Sequence, residues 1–230
     1  MRHLPTLLIT LALSLLPLAA TIEHNFPTDW QSRLYLPEFI AQPDYHTPRF
    51  STGTYLPQAI RENMTLTANH NPYLLTSTTR INPSITVTIE PGVTIFAAEN
   101  TALIVDGHLI ARGTSALPVT FQSNEKHPLN QTWLGLMAQP QASIDLQHVS
   151  IDNASPAISC LPNSHVAISQ TKIYRGSVGL FQSQTPCRLT DSFINGPTIG
   201  LISINTVPQV INSLIIAQQA EVTTSSTPTN

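Results

Sequence analysis

Charged side chains are scarce: Asp, Glu, Lys and Arg make up 10% of the 230 residues, and only Lys126 and Lys172 are lysines. With a formal net charge of −3 and scattered arginines, the chain carries no basic stripe to follow a phosphate backbone, so nucleic acid is excluded as a partner. No apolar run reaches the roughly 20 residues that a spanning helix needs, and no membrane span is expected. Metal-ligand spacing is missing too. The eight histidines, at 3, 24, 46, 70, 108, 127, 148 and 165, lack the short paired intervals of zinc sites. No Asp-x-Asp run marks a calcium loop, and no obligatory cofactor or metal is expected. Low charge and 19 prolines are also features of disordered chains, but 41% hydrophobic residues in short patterned runs exclude that class.

What is present begins with Met1-Arg2-His3, an apolar stretch over 4–18 and the small pair Ala19-Ala20. This reads as a signal peptide over 1–20 and predicts a secreted, periplasmic or cell-surface protein. Residues 21–72 are irregular, with Pro27, Pro37, Pro43, Pro48 and Pro57 breaking long helices and central strands. They are expected to form a leader and N-terminal cap, with residues 61–67 covering the first exposed edge of the strand-rich region beyond residue 72.

From Tyr73 the character changes. Ile85-Thr-Val-Thr-Ile89, Val93-Thr-Ile95, Leu103-Ile-Val105, Leu109-Ile-Ala111 and Val119-Thr-Phe121 are short strand patterns, each ended by turn residues. In the second half Leu146-Gln-His-Val-Ser-Ile151, Ile168-Ser-Gln-Thr-Lys-Ile173, Leu189-Thr-Asp-Ser-Phe-Ile194 and Val210-Ile-Asn-Ser-Leu-Ile215 recur at steps of 22, 21 and 21. The set Ala157-Ile158, Val178-Gly179-Leu180 and Ile199-Gly200-Leu201 recurs at 21 as well. A sandwich or barrel needs no fixed step, so the repeat selects an all-β solenoid. One coil of about 21 residues buries too little apolar surface to offset its chain entropy. Stability therefore belongs to the stack, and its ends need caps. The solenoid is placed at 73–217 and a Ser/Thr-rich tail at 218–230.

Glu90-Pro91-Gly92-Val93, then Leu103-Ile-Val-Asp-Gly-His-Leu-Ile-Ala-Arg-Gly-Thr114, Pro118-Val-Thr-Phe-Gln-Ser123 and Trp133-Leu-Gly-Leu136 resemble right-handed parallel β-helix proteins of the pectin-lyase-like superfamily. The likeness runs over about 72–216. It implies coils of three short parallel strands wound right-handed, about five to six of them here. It implies no single activity, because the superfamily holds lyases, hydrolases, tailspikes, adhesins and non-catalytic surface proteins. Gly92 and Gly107 are expected to supply turn angles closed to other residues, and Trp133 to be a core or cap residue.

Residues one period apart stack about 4.8 Å apart along the axis, so a catalytic site would appear as charged residues sharing a column. The column His148, Gln170, Asp191, Asn212 is polar at every level and reads first as a hydrogen-bonded ladder at a turn. Asp152 stacks under Tyr174 and Asn195, Asn153 under Arg175 and Gly196, and Asp145 under Ala167 and Arg188. Asp152, Arg175, Arg188 and Asp191 are the candidate catalytic residues if the protein is an enzyme; a surface ion pair is the plainer use of the acids and arginines. The several acids around Ca²⁺ of pectate-lyase relatives, and the clustered Asp of galacturonases, do not map onto this chain. Cys160 and Cys187 fall on adjacent coils at one corner and form either a disulfide, favoured by an oxidising compartment, or two buried thiols. Asn63, Asn130 and Asn153 begin N-glycosylation triplets.

These features support two functions. The first is an exported, non-catalytic β-helix offering a binding or structural surface to a polysaccharide or cell-envelope component. The second is a small polysaccharide lyase or glycoside hydrolase. Self-association through open coil ends is a further partner expectation.

Overall fold

The computed structural model describes residues 52–124 and 133–224. The expected signal peptide, most of the leader, the Asn130 triplet and residues 225–230 of the expected tail lie outside the described residues. The first coil is β1 (Thr54–Tyr55), β2 (Ala59–Ile60) and β3 (Met64–Leu66). The second is β4 (Tyr73–Leu75), β5 (Thr79–Ile81) and β6 (Thr86–Ile89), and the third β7 (Thr94–Ala97), β8 (Leu103–Val105) and β9 (His108–Arg112). The fourth is β10 (Val119–Ser123), β11 (Leu136–Ala138) and β12 (Ser143–Gln147), and the fifth β13 (Val149–Asp152), β14 (Ile158–Cys160) and β15 (His165–Ser169). The sixth coil is β16 (Lys172–Tyr174), β17 (Val178–Ser183) and β18 (Cys187–Thr190), the seventh β19 (Phe193–Asn195), β20 (Ile199–Ile204) and β21 (Gln209–Ile211). β22 (Leu214–Ile216) and β23 (Gln219–Thr224) open an eighth.

Every third strand pairs in parallel, giving a first sheet from β1 to β22, a second from β2 to β23 and a third from β3 to β21. This is a right-handed parallel β-helix of about seven turns, not the five to six expected. The difference arises where the repeat is faint. Residues 54–66 are short and proline-flanked, yet β1, β2 and β3 each pair in parallel with the strand one coil later.

Strand alternation puts every second side chain inside. On the first sheet Ile95, Phe121, Ile151, Ile173 and Ile194 lie one above another, all buried. On the third, Ile89, Ala111, Leu146, Ile168 and Leu189 do the same. Each large member contributes about 1.5–3 kcal/mol by leaving water. Trp133 is an internal residue: its ring stacks on Phe121 with centroids 6.1 Å apart, and its indole N–H donates to the Asp152 carbonyl at 3.2 Å.

The two singled-out glycines act differently. Gly92 has φ +78°, the left-handed angle expected of it. Gly107 has no such angle; a Cβ there would lie 2.3 Å from the Ile85 carbonyl oxygen and 2.4 Å from that of Asn82. Its smallness, and not its dihedral freedom, lets the corner close.

Cys160 and Cys187 are joined, with Cα atoms 5.9 Å apart. Both face the core, one from β14 and one from β18 of the next coil, so the bridge ties the second sheet to the third across a corner.

Candidate functional site

The three corners are built from residues in the left-handed region. Where the third sheet turns into the first, His148, Gln170, Asp191 and Asn212 have φ of 49°, 48°, 49° and 45°. Each turn puts one residue in this region, and the N–H groups of His148, Gln170 and Asp191 donate to the Ser169, Thr190 and Ile211 carbonyls one coil on, at 3.3, 3.1 and 3.1 Å. Polar side chains suit this conformation best after glycine. Only part of the column is linked through side chains: Asn212 donates to the Asp191 carboxylate, while Gln170 accepts from Gln147 at 3.1 Å.

A second such column, Asn153, Arg175 and Gly196 with φ of 54°, 55° and 93°, turns the first sheet into the second. It brings two candidates together: the Arg175 guanidinium donates to both oxygens of Asp152, through Nε at 2.8 Å and through Nη2. Asn153 is buried in this corner at 4% exposure, which closes its glycosylation triplet to modification.

The four candidate catalytic residues do not converge. Asp152 and Arg175 stand at one corner, Asp191 at another, and Arg188 on the outer face of the third sheet, about 10 Å of extended chain before Asp191. Asp145, Ala167 and Arg188 occupy one outward column in consecutive coils, as the repeat requires. Asp145 turns away from Arg188 to Arg112, which donates to it through Nε at 3.1 Å and through Nη2. Asp106 is likewise held by Arg80. All four aspartates among the described residues are therefore engaged, three by arginines and Asp191 by the Asn212 amide.

Arg188 is different: no hydrogen bond or ion pair engages its guanidinium among the described residues. It lines a shallow groove of about 630 Å³ on the outer face of the third sheet. Three successive coils build the walls: Ser143 and Asp145 from β12, Asn163 and His165 at the start of β15, and Thr185 with Arg188 before and within β18. Thr185 braces one wall by accepting from the Asn163 N–H at 2.8 Å. His108 lies one coil below Ser143 and shares a hydrogen bond with its hydroxyl at 2.7 Å through Nδ1. His165 lies one coil above and is exposed. Sequence reasoning missed this His108, Ser143, His165 column because the step from His108 to Ser143 is 35 residues. An insertion hides what the repeat displays elsewhere.

Among the described residues no group of three or more His, Cys, Asp or Glu side chains is placed to hold a metal ion, and no helix is long and apolar enough to cross a membrane. Comparison with curated proteins and with solved structures gave no match. Residues 58–162 match the family model described as a pectate-lyase-like beta helix domain, and the parallel three-sheet coil around them is consistent with the pectin-lyase-like superfamily.

Proposed function

We propose that this protein is a non-catalytic, extracytoplasmic β-helix module that binds a polysaccharide in the groove on its third sheet. The observation that carries the reading is the engagement of every described aspartate: three are paired with arginines and one is held in a corner ladder, so neither candidate acid, Asp152 or Asp191, stands free for glycosidic cleavage. The groove is open and shallow, and it presents hydroxyl, amide and imidazole groups with one guanidinium that no side chain engages among the described residues. A pectate-lyase-like domain favours a sugar polymer as the ligand, and the disulfide favours an oxidising compartment.

The test is titration of the purified full chain with a panel of neutral and acidic polysaccharides, with reducing ends and unsaturated uronate measured in the same samples. Saturable binding weakened about tenfold in Arg188→Ala, with no new chain ends, is expected; one lost charge-assisted contact accounts for that factor. Cleavage abolished by Asp191→Asn or Arg188→Ala would overturn the non-catalytic reading, and unchanged binding in Arg188→Ala together with His165→Ala would remove the groove.

A further inference from the structure

The backbone tie that closes the corner between the second and third sheets is missing at one level, and that level is the groove. In three successive coils the first residue of the third-sheet strand donates its N–H to the coil before. His108 donates to the Ile85 carbonyl at 2.8 Å, Ser143 to that of Gly107 at 3.0 Å and His165 to that of Ala142 at 2.9 Å. The register puts Pro186 next on this column, because Val166 pairs with Cys187. Proline has no N–H, so the corresponding bond to the Ser164 carbonyl cannot form. The neighbouring amide does not replace it, since the Cys187 N–H donates to the Gln182 side-chain oxygen of its own coil at 2.9 Å. The Gln184 N–H is tied onward, to the Ile204 carbonyl of the next coil at 2.9 Å.

The disulfide sits where that bond is lost. Cys160 ends β14 and leads into the turn that carries Asn163, Ser164 and His165 to one wall of the groove. Cys187 opens β18 between Pro186 and Arg188, which line the other wall. Both cysteines are buried, and strand alternation then turns Arg188 outward. Besides the bridge, the walls are joined by the bond from the Asn163 N–H to the Thr185 hydroxyl and by the ladder that starts at Val166 and Cys187. The Ser164 hydroxyl is buried without a partner, so that side chain adds no tie.

We propose that the Cys160–Cys187 bridge is the positioning element of the groove. It replaces the ladder bond that Pro186 removes, and it holds the His165 wall and the Arg188 wall at the spacing the ligand meets. The inference rests on the polysaccharide reading of the groove. Cys160 and Cys187 lie beneath the surface and act through His165 and Arg188. Order built into the free protein is not lost again on binding, and affinity gains by that difference.

Cys160→Ala with Cys187→Ala removes the bridge without burying a new polar group, and amide exchange in the native full chain reads the corner with no ligand present. Exchange at 163–165 and 187–188 should quicken about tenfold or more, while β7 and β10 in the third and fourth coils keep wild-type rates. Adding Pro186→Ala to that variant restores an N–H to the column and should return part of the lost protection. In titration with the polysaccharide panel, at a temperature where circular dichroism shows the bridge-free variant folded, affinity should fall about tenfold. Thr185→Val keeps the bridge, removes the other side-chain tie and should leave exchange at the corner near that of wild type; this variant carries the test if the bridge-free chain does not fold. Equal acceleration at every amide would reduce the bridge to general stability, and no acceleration at the corner would show that it orders nothing; either overturns the proposal. So does a corner that Pro186→Ala leaves as fast as before, one that Thr185→Val loosens about tenfold, or an affinity unchanged beside a loosened corner. A wild-type chain that binds no member of the panel overturns the polysaccharide reading, and the exchange pattern still decides whether the bridge sets the walls.

Discussion

The coils before Val149 and those after it share one register but not one spacing. After Val149, Ile151, Ile173, Ile194 and Ile215 stack at steps of 22, 21 and 21. Before it, Tyr73, Ile95, Phe121 and Ile151 stack at 22, 26 and 30. The extra residues fall between the paired strands in sequence, and the strands stay aligned. Register in a sheet with one buried face is fixed by which side chains point inward, and a slip of one residue would turn that whole set to water. Spacing has no such constraint, because lengthening a surface loop costs little. The early coils thus carry insertions and aromatic packing, while the late coils are lean and tied by a disulfide.

Removing the aromatic packing of the early half should have the largest effect. Trp133→Ala deletes a fully buried ring stacked on Phe121 and should cost about 3–5 kcal/mol in chemical denaturation. A loss under about 1 kcal/mol would show that the insertion-bearing coils do not depend on it. The matching experiment in the late half is Cys160→Ser with Cys187→Ser. The bridge closes a separation of 27 residues, for which chain entropy gives about 3.5 kcal/mol. If stability is shared along the stack, both variants keep a single transition. Two separated transitions would mean that the halves unfold on their own.

A smaller effect is expected in the corner column of the late coils. Gln170→Val puts a β-branched residue at φ 48° and should destabilise by about 1–2 kcal/mol, whereas Gln170→Gly should be neutral or slightly stabilising. Equal losses from both would show that the side chain, and not the backbone angle, is what the corner needs. The smallest effect belongs to the ion pairs. Arg175 is half exposed, and Arg175→Ala should change stability by less than about 1 kcal/mol, a difference that fades in high salt.

The sequence was most legible where spacing was most regular. Asp145, Ala167 and Arg188, at steps of 22 and 21, fall into the column that the repeat requires. The first coil escaped notice because its strands are two or three residues long, too short to show alternation. The contact of His108 with Ser143 escaped because its step of 35 residues matches no visible period.

By itself the chain determined an all-β parallel solenoid, the polar corner column and the corner shared by the two cysteines. Each of these comes from near-neighbour rules: alternation of inward and outward residues, a constant step, and the conformations that turns demand. Tertiary structure decided the rest. It set the number of coils, chose Arg112 and not Arg188 as the partner of Asp145, assigned Gly107 to close packing and gathered the groove from three coils. Those outcomes depend on which side chains meet across coils, and contacts of that kind are written in three-dimensional proximity and not in sequence spacing.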